Sequence, residues 1–511
     1  MRAFAHSLAP RGLPGLVPHL ETDVMTRTDS GLLLFCVLAL LCCPAPAWAS
    51  GGLAPVDGSV LGPWWAGPFV CMLLSIAILP IALPVFWHEQ YGKVAVFWAL
   101  AFLAPFAVLH GPEMAFMEFQ HTITQEYVPF LILLFALFTI SGGVRVTGSL
   151  TGTPCVNTLF LGVGTILASL MGTTGASMLL IRPLLRANAH RRYKIHTVIF
   201  FIFLVANVGG SLSPLGDPPL FLGFLKGVSF FWTTTHLFLE MLFVSTSLLV
   251  IYFLMDTRQY AKEKASGLAA PAAAPAAVDQ PPAQDEPLGL TGAVNLLLLL
   301  GVVALVLISG IWNPGKVFQF LYVQVRLQDL VRDVSILGLA GLSLLLTSSE
   351  ERVLNGFSWE PIVEVAKLFF GIFVSMIPAI AILKAGPNGS LRDVIALVTH
   401  DGAPVNYMYF WLSGGLSSFL DNAPTYLVFF NTAGGDAARL MAEAPRTLAA
   451  ISCGAVFMGA NTYIGNAPNF MVRSIAESQD VPMPSFIGYM AWSLCILIPL
   501  FIATTILFFV F

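Results

Sequence analysis

The chain has 511 residues, of which 57% are hydrophobic and only 10% charged, against roughly 25% charged in average soluble proteins. That excludes a soluble globular protein, and the Leu, Ile, Val and Phe content is too high for a collagen-like or disordered chain despite 44 Gly and 34 Pro. The balance of 24 Lys+Arg against 28 Asp+Glu leaves no basic stripe able to neutralise phosphates, so nucleic acid is excluded as a partner and a membrane protein remains.

At the N-terminus, the apolar run Gly31 to Ala47 follows Arg27 and ends on Ala47-Trp48-Ala49. This is an apolar core before an A-x-A site, and residues 1–49 are expected to form a signal peptide or N-terminal anchor. Beyond it, a helix crossing a ~30 Å hydrocarbon core needs about 20 apolar residues. Segments near 67–87, 94–111, 127–147, 195–225, 232–255, 290–310, 334–348, 360–385, 447–475 and 484–511 meet that demand and predict ten spans. Two more apolar stretches, 156–188 and 404–431, are interrupted at Gly172-Thr173-Thr174-Gly175 and Asp421-Asn422-Ala423-Pro424. Each half reads as too short to cross alone, which predicts re-entrant helical hairpins.

Charge gives the orientation. Arg145 before the first hairpin and Arg186, Arg191, Arg192 and Lys194 after it put both its ends in the cytoplasm. The acidic loop with Glu113, Glu118 and Glu126 falls outside. Arg258, Lys262 and Lys264 return inside, at the start of the Ala/Pro-rich stretch 257–289, which is expected to be a disordered cytoplasmic linker.

Residues 60–256 and 290–511 are then two repeats. Gly216-Asp217-Pro218-Pro219 matches Gly465-Asn466-Ala467-Pro468 at an offset of 249, and the hairpin tips, aligned at Thr174 and Asn422, match at 248. An odd number of crossings turns the second half upside down. The predicted fold is an all-α polytopic membrane protein of two inverted repeats, each about five transmembrane helices plus one re-entrant hairpin, with broken helices at the midplane.

The segment Asn207 to Pro219 holds three Gly and three Pro in thirteen residues and cannot remain helical. A packed proline kink would explain one such break; its recurrence at Met458 to Asn469 favours an ion or substrate site. Asp217 and Asp421 are the only carboxylates in the four interruptions, and an ionised Asp at a helix centre is costly enough to call for a functional partner. Asp421 could equally cap the helix after the tip. Thr173, Thr174, Ser177, Asn207, Ser211, Ser213, Asn422, Thr425, Asn461, Thr462 and Asn466 supply neutral oxygens suited to Na⁺, or serve as helix–helix hydrogen bonds. Arg182, past the first tip, either neutralises an anionic substrate or reaches to the cytoplasmic interface. His236 and Glu240, one turn apart, form either a proton relay or a pair facing the bundle. No nucleophile–base set, phosphate loop or metal cluster occurs, which argues against an enzyme or an ATP-driven pump; no cofactor is expected beyond the transported Na⁺ and H⁺.

The string NVGGSLSPLGDPP at Asn207 to Pro219 resembles the broken-helix motif of NhaD-type sodium:proton antiporters, and SSFLDNAPTYLVFF at Ser417 to Phe430 resembles their second hairpin with its Asp-Asn-x-Pro tip. Both are similar to the wider ion transporter superfamily, which includes arsenite and citrate carriers and divalent anion:sodium symporters. The resemblance implies that Asp217, Asp421 and Asn422 line the ion site, that the protein is a homodimer, and that a transport unit moves against a scaffold. The first tip departs from the antiporter pattern, carrying Gly172-Thr173-Thr174-Gly175 where another Asp-Asn pair is expected, and this keeps citrate-type carriers in play. The expectation is a secondary transporter of the bacterial inner membrane, a sodium:proton antiporter with Asp217 and Asp421 as titrating Na⁺ ligands. The alternative is a cation-coupled symporter of citrate or a related carboxylate. Its partners are the lipid bilayer and a small ion or carboxylate.

Overall fold

The computed structural model describes residues 56–148, 150–266 and 289–510. The expected signal peptide or anchor and most of the expected linker lie outside the described residues. The chain is helical almost throughout: α1 Gly67–Ala82, α2 Pro84–His110, α3 Pro112–Thr122, α4 Val128–Ser141, α5 Pro154–Met171, α6 Thr173–Ala187, α7 Ile195–Leu204, α8 Pro218–Leu225, α9 Phe230–Ala265 and α10 Val294–Ile311. There follow α11 Leu327–Leu346, α12 Ser349–Leu354, α13 Glu360–Lys384, α14 Arg392–Ala396, α15 Asn406–Ser417, α16 Asn422–Thr432, α17 Ala437–Glu443, α18 Pro445–Met458, α19 Ala467–Ser478 and α20 Phe486–Thr504. Among the described residues, nine helical runs are long and apolar enough to cross a membrane.

Burial separates inner from outer helices. Only 22% of the apolar window of α2 is buried, against 89% for the run Ile195–Leu212, so α2 lies at the periphery of the bundle and α7 inside it. One group packs α2 on α1 and α13, and α4 on α10 and α11. The other packs α15 on α18, and α9 on α5, α7 and the turn after α7. They join where α6 meets α4 and where α16 meets α13 and α8.

Several boundaries differ from expectation. The acidic segment around Glu113, Glu118 and Glu126 is not a loop: α3 runs through a π turn at Ile123–Tyr127 into α4, giving one helical rod, Pro112–Ser141. Two of its charges find partners far along the chain, Glu118 accepting from the Val56 amide and Glu126 pairing with Lys226. The first arm of hairpin one, α5, has 18 residues, about 27 Å at 1.5 Å per residue, and is not too short to cross. The chain nevertheless doubles back, since the Gly152 amide donates to the Ala187 carbonyl at 2.8 Å. Helix α11 begins seven residues before the expected 334, with Asp329, Arg332 and Asp333 paired among themselves in its first turns. Helix α9 continues through Ala265 into the expected linker.

One end of the bundle is rich in arginine. There Arg145–Thr147 pairs antiparallel with Gly289–Thr291, Arg145 opposite Thr291, and Arg145 grips Glu351 with two nitrogens at 2.9 and 3.3 Å. That contact holds the Glu351 carboxyl below the usual carboxylate range. Asn355 Nδ2 donates to the Gly142 and Val144 carbonyls at 3.1 and 3.0 Å. We refer to this end as the basic face.

Candidate functional site

Both breaks are built in the same way. After Leu204 the chain closes a 3₁₀ turn at Val208–Leu212, and α8 starts from Asp217 in extended conformation. Pro218 fits the first helical position because the N–H it lacks would have no partner there. After Met458 a 3₁₀ turn at Gly459–Asn461 leads to α19, which starts from Asn466, also extended. The backbone approaches itself so closely that a Cβ on Gly216 would lie 2.1 Å from the Gly210 oxygen, and one on Gly465 2.5 Å from the Gly459 oxygen; only glycine fits. Ser213 Oγ donates to the Ser169 carbonyl and accepts from the Leu215 amide at 3.1 Å. Thr462 Oγ1 donates to the Ser418 carbonyl at 2.5 Å and accepts from the Ile464 amide at 3.2 Å. Every member of the second set lies 249 residues after its counterpart, the separation of Asp217 and Asn466. The hairpins keep the same register, α6 following Gly172 and α16 following Asp421. Thr173, not Thr174, is therefore the counterpart of Asn422, one residue from the alignment expected above.

The four segments meet at Asp217, which is 1% exposed. Its Oδ1 accepts from Thr173 Oγ1 at 2.9 Å and Asn466 Nδ2 at 3.3 Å, and its Oδ2 accepts from Asn422 Nδ2. Asn466 Nδ2 also reaches Asn207 Oδ1 at 3.2 Å, and Asn207 Nδ2 donates to Asn469 Oδ1 at 2.7 Å. Asn469 Nδ2 closes the network on the Gly459 and Thr462 carbonyls at 2.8 and 2.9 Å. Helices α6, α8, α16 and α19 thus begin at or beside one carboxylate. Each helix N-terminus carries roughly half a positive charge, so the converging ends make a region where a negative group is held without a cationic side chain.

The remaining expected residues sort by distance from this centre. Asp421 Oδ1 accepts from the Ala423 amide at 3.0 Å, capping α16. Its neighbour Asn422 bonds Asp217, yet the two carboxylates share no hydrogen-bond partner among the described residues. Thr425 Oγ1 donates to the Asp421 carbonyl at 3.0 Å, Ser211 Oγ to the Val208 carbonyl at 2.9 Å, and Asn461 Nδ2 to Ser418 Oγ at 2.9 Å. Thr174 is half-buried beside Thr173. Three polar atoms here are buried with no partner: Ser177 Oγ, Asn422 Oδ1 and Asn461 Oδ1. Unpartnered buried oxygens are rare enough to need a reason, and a hard cation coordinated by oxygen would supply one.

Sequence reasoning missed Ser169, Ser418 and Asn469. The first two were legible as a pair of serines three residues before Gly172 and Asp421, and Asn469 lies inside the second motif. His236 Nδ1 bonds Thr235 Oγ1 and the Trp232 carbonyl, and its ring stacks on Trp232; no hydrogen bond joins it to Glu240. Arg182 Nη2 lies 3.4 Å from the Gly356 carbonyl.

Compared with known proteins, residues 58–509 match the family model described as "Putative citrate transport". No curated protein matches the chain.

Proposed function

We propose that this chain, a member of the family described as "Putative citrate transport", is a secondary transporter that carries a citrate-type carboxylate together with a cation. The observation that supports this reading is the convergence of four helix N-termini on one buried, neutral-donor network. In the proposal, substrate carboxylate groups rest against the N-termini of α6 and α16 at Thr173, Thr174 and Asn422. Ser177, Asn422, Asn461 and Asp217 supply oxygens to a coupling cation such as Na⁺. Asn207, Ser211, Ser213, Thr425, Thr462 and Asn466 hold the tips and breaks in register. The recurrence of contacts at 249 residues supports a pair of inverted repeats, and the arginine content of the basic face supports placing it in the cytoplasm of a bacterial inner membrane.

Sodium:proton exchange is the second reading, favoured by the placement of Asp421 at the start of the helix whose Asn422 bonds Asp217. A carboxylate that binds Na⁺ in one state and H⁺ in the other is all such exchange requires. The two readings separate in proteoliposomes. Symport gives uptake of labelled citrate that depends on an imposed Na⁺ or Mg²⁺ gradient. Exchange gives Na⁺-driven proton release with no organic acid present, and that result without any citrate uptake would overturn the first reading.

A further inference from the structure

Two arginines near hairpin one differ sharply in company. Arg191 pairs with Asp256 and Glu263 at 2.7 and 2.5 Å. Arg182, on the second arm of the same hairpin, has no carboxylate partner among the described residues. Its Nη1 is buried and unbonded, and its Nη2 has only the Gly356 carbonyl at 3.4 Å. One turn further along α6 stands a second cation, Arg186, whose Nη2 donates to the Val146 carbonyl at 2.8 Å. Glu351 is already engaged by Arg145. A half-buried guanidinium with one buried, unbonded nitrogen, one turn from a second cation, is a place where a visiting anion is favourable.

The place is as telling as the charge. On α6, Gly175, Met178 and Arg182 share one face. A Cβ on Gly175 would lie 2.5 Å from Ser141 Oγ of α4, a buried hydroxyl with no partner. Met178 clusters with Phe138 and Ile362, and Arg182 meets Gly356. This face forms a seam against α4 and residues 355–362, leading from the tip at Thr173 toward the basic face. Arg182 is nine residues past that tip, about 14 Å along the helix, farther than one small acid held at the tip extends.

We propose that this seam is a second binding station for a carboxylate of the transported acid, anchored by Arg182 with Arg186 as the supporting cation, and occupied as substrate passes between the hairpin tips and the basic face. A guanidinium fork matches a carboxylate with two parallel hydrogen bonds, and the visiting anion supplies both the acceptor that Nη1 lacks and the missing charge. The inference rests on the carboxylate-transport reading. The phosphate of an anionic lipid offers the same oxyanion chemistry, and the test distinguishes the two.

The full-length protein is reconstituted in vesicles of zwitterionic phospholipid sorted by orientation, and initial rates of labelled citrate transport are measured from each face. Arg182→Gln is expected to raise KM for citrate presented at the basic face about tenfold or more, the scale of one charge-assisted hydrogen bond. KM from the opposite face stays within about twofold, and Arg182→Lys, which keeps the charge and loses the fork, falls between. An unchanged KM, an equal rise from both faces, or a defect that appears only when anionic lipid is added overturns the station. If the wild type moves no carboxylate, the transport reading itself has failed, which is a different result from a normal wild type with a silent variant.

Discussion

The two hairpins reach the same carboxylate but are fastened at their bases in different ways. Under hairpin one lies a buried ionic cluster. Asp256 accepts from Arg191, from His196 Nε2 at 2.9 Å and from Asn157 Nδ2 at 3.1 Å, and Asn157 and Asn188 bond each other at 2.8 Å. Under hairpin two, Thr447 Oγ1 donates to Asn406 Oδ1 at 2.8 Å, while Asn431 Oδ1 is buried without a partner. Its second arm ends in Gly434 and Gly435, with φ of 107° and 70°. The contrast is between a footing of buried charges and one of neutral contacts that runs into two glycines with positive φ.

The largest effect should come from attacking the charged footing. Asp256→Asn leaves Arg191 and Glu263 as an incomplete buried set, a loss of about 3–5 kcal/mol by analogy with broken buried pairs. It should appear as a clear fall in the thermal midpoint of the purified protein; a midpoint shifted no more than a surface variant's would erase the distinction between the bases. Next, Asp217→Asn removes the charge that both tips share and turns one of its two accepting oxygens into a donor. Citrate uptake is expected to fall about a hundredfold, the cost of roughly two charge-assisted hydrogen bonds, while the thermal midpoint moves far less than for Asp256→Asn.

Smaller effects sharpen the same contrast. Backbone amides of α16 should exchange with deuterium at least about tenfold faster than those of α6, because exchange reports local opening. Equal protection of both arms would mean that hairpin two is as firmly held as hairpin one. Gly435→Ala should cost about 1–2 kcal/mol for left-handed backbone and slow uptake without abolishing it. The smallest effect concerns Arg145–Glu351, away from both hairpins. The lowered Glu351 pKa means that the pair stabilises the fold above the ordinary glutamate value of about 4.3 and is lost as pH falls through the lowered one. Glu351→Gln should therefore reduce the midpoint slightly at pH 7, by a surface-pair amount of about 0.2–1 kcal/mol, and not at all in strong acid.

The breaks and tips were legible because Gly, Pro and Asx residues at those positions leave the backbone few choices, and because the same spacing occurs twice. The helical rod at 112–141 was not legible, since Glu113, Glu118 and Glu126 interrupt the apolar pattern and the partners of the last two, Val56 and Lys226, are 62 and 100 residues from the groups they meet. The cluster at Asp256 was hidden for the same reason: Arg191 stands 65 residues away and reads as one more cytoplasmic charge. Asp421 was recognised as either ligand or cap, and its geometry is that of a cap. Asn466 was singled out from the matching spacing of the two motifs, whereas its direct bond to Asp217 needed coordinates.

That bond carries a consequence of its own. Asp217 and Asn466 hold equivalent posts in the two halves, yet they touch, at 3.3 Å. A protein with aspartate at both posts would press two like charges together at its centre and need a captive ion to bear it; one with asparagine at both would have no charge there to couple. Among the differences between the two breaks, an amide facing a carboxylate gives this centre one charge and one pole.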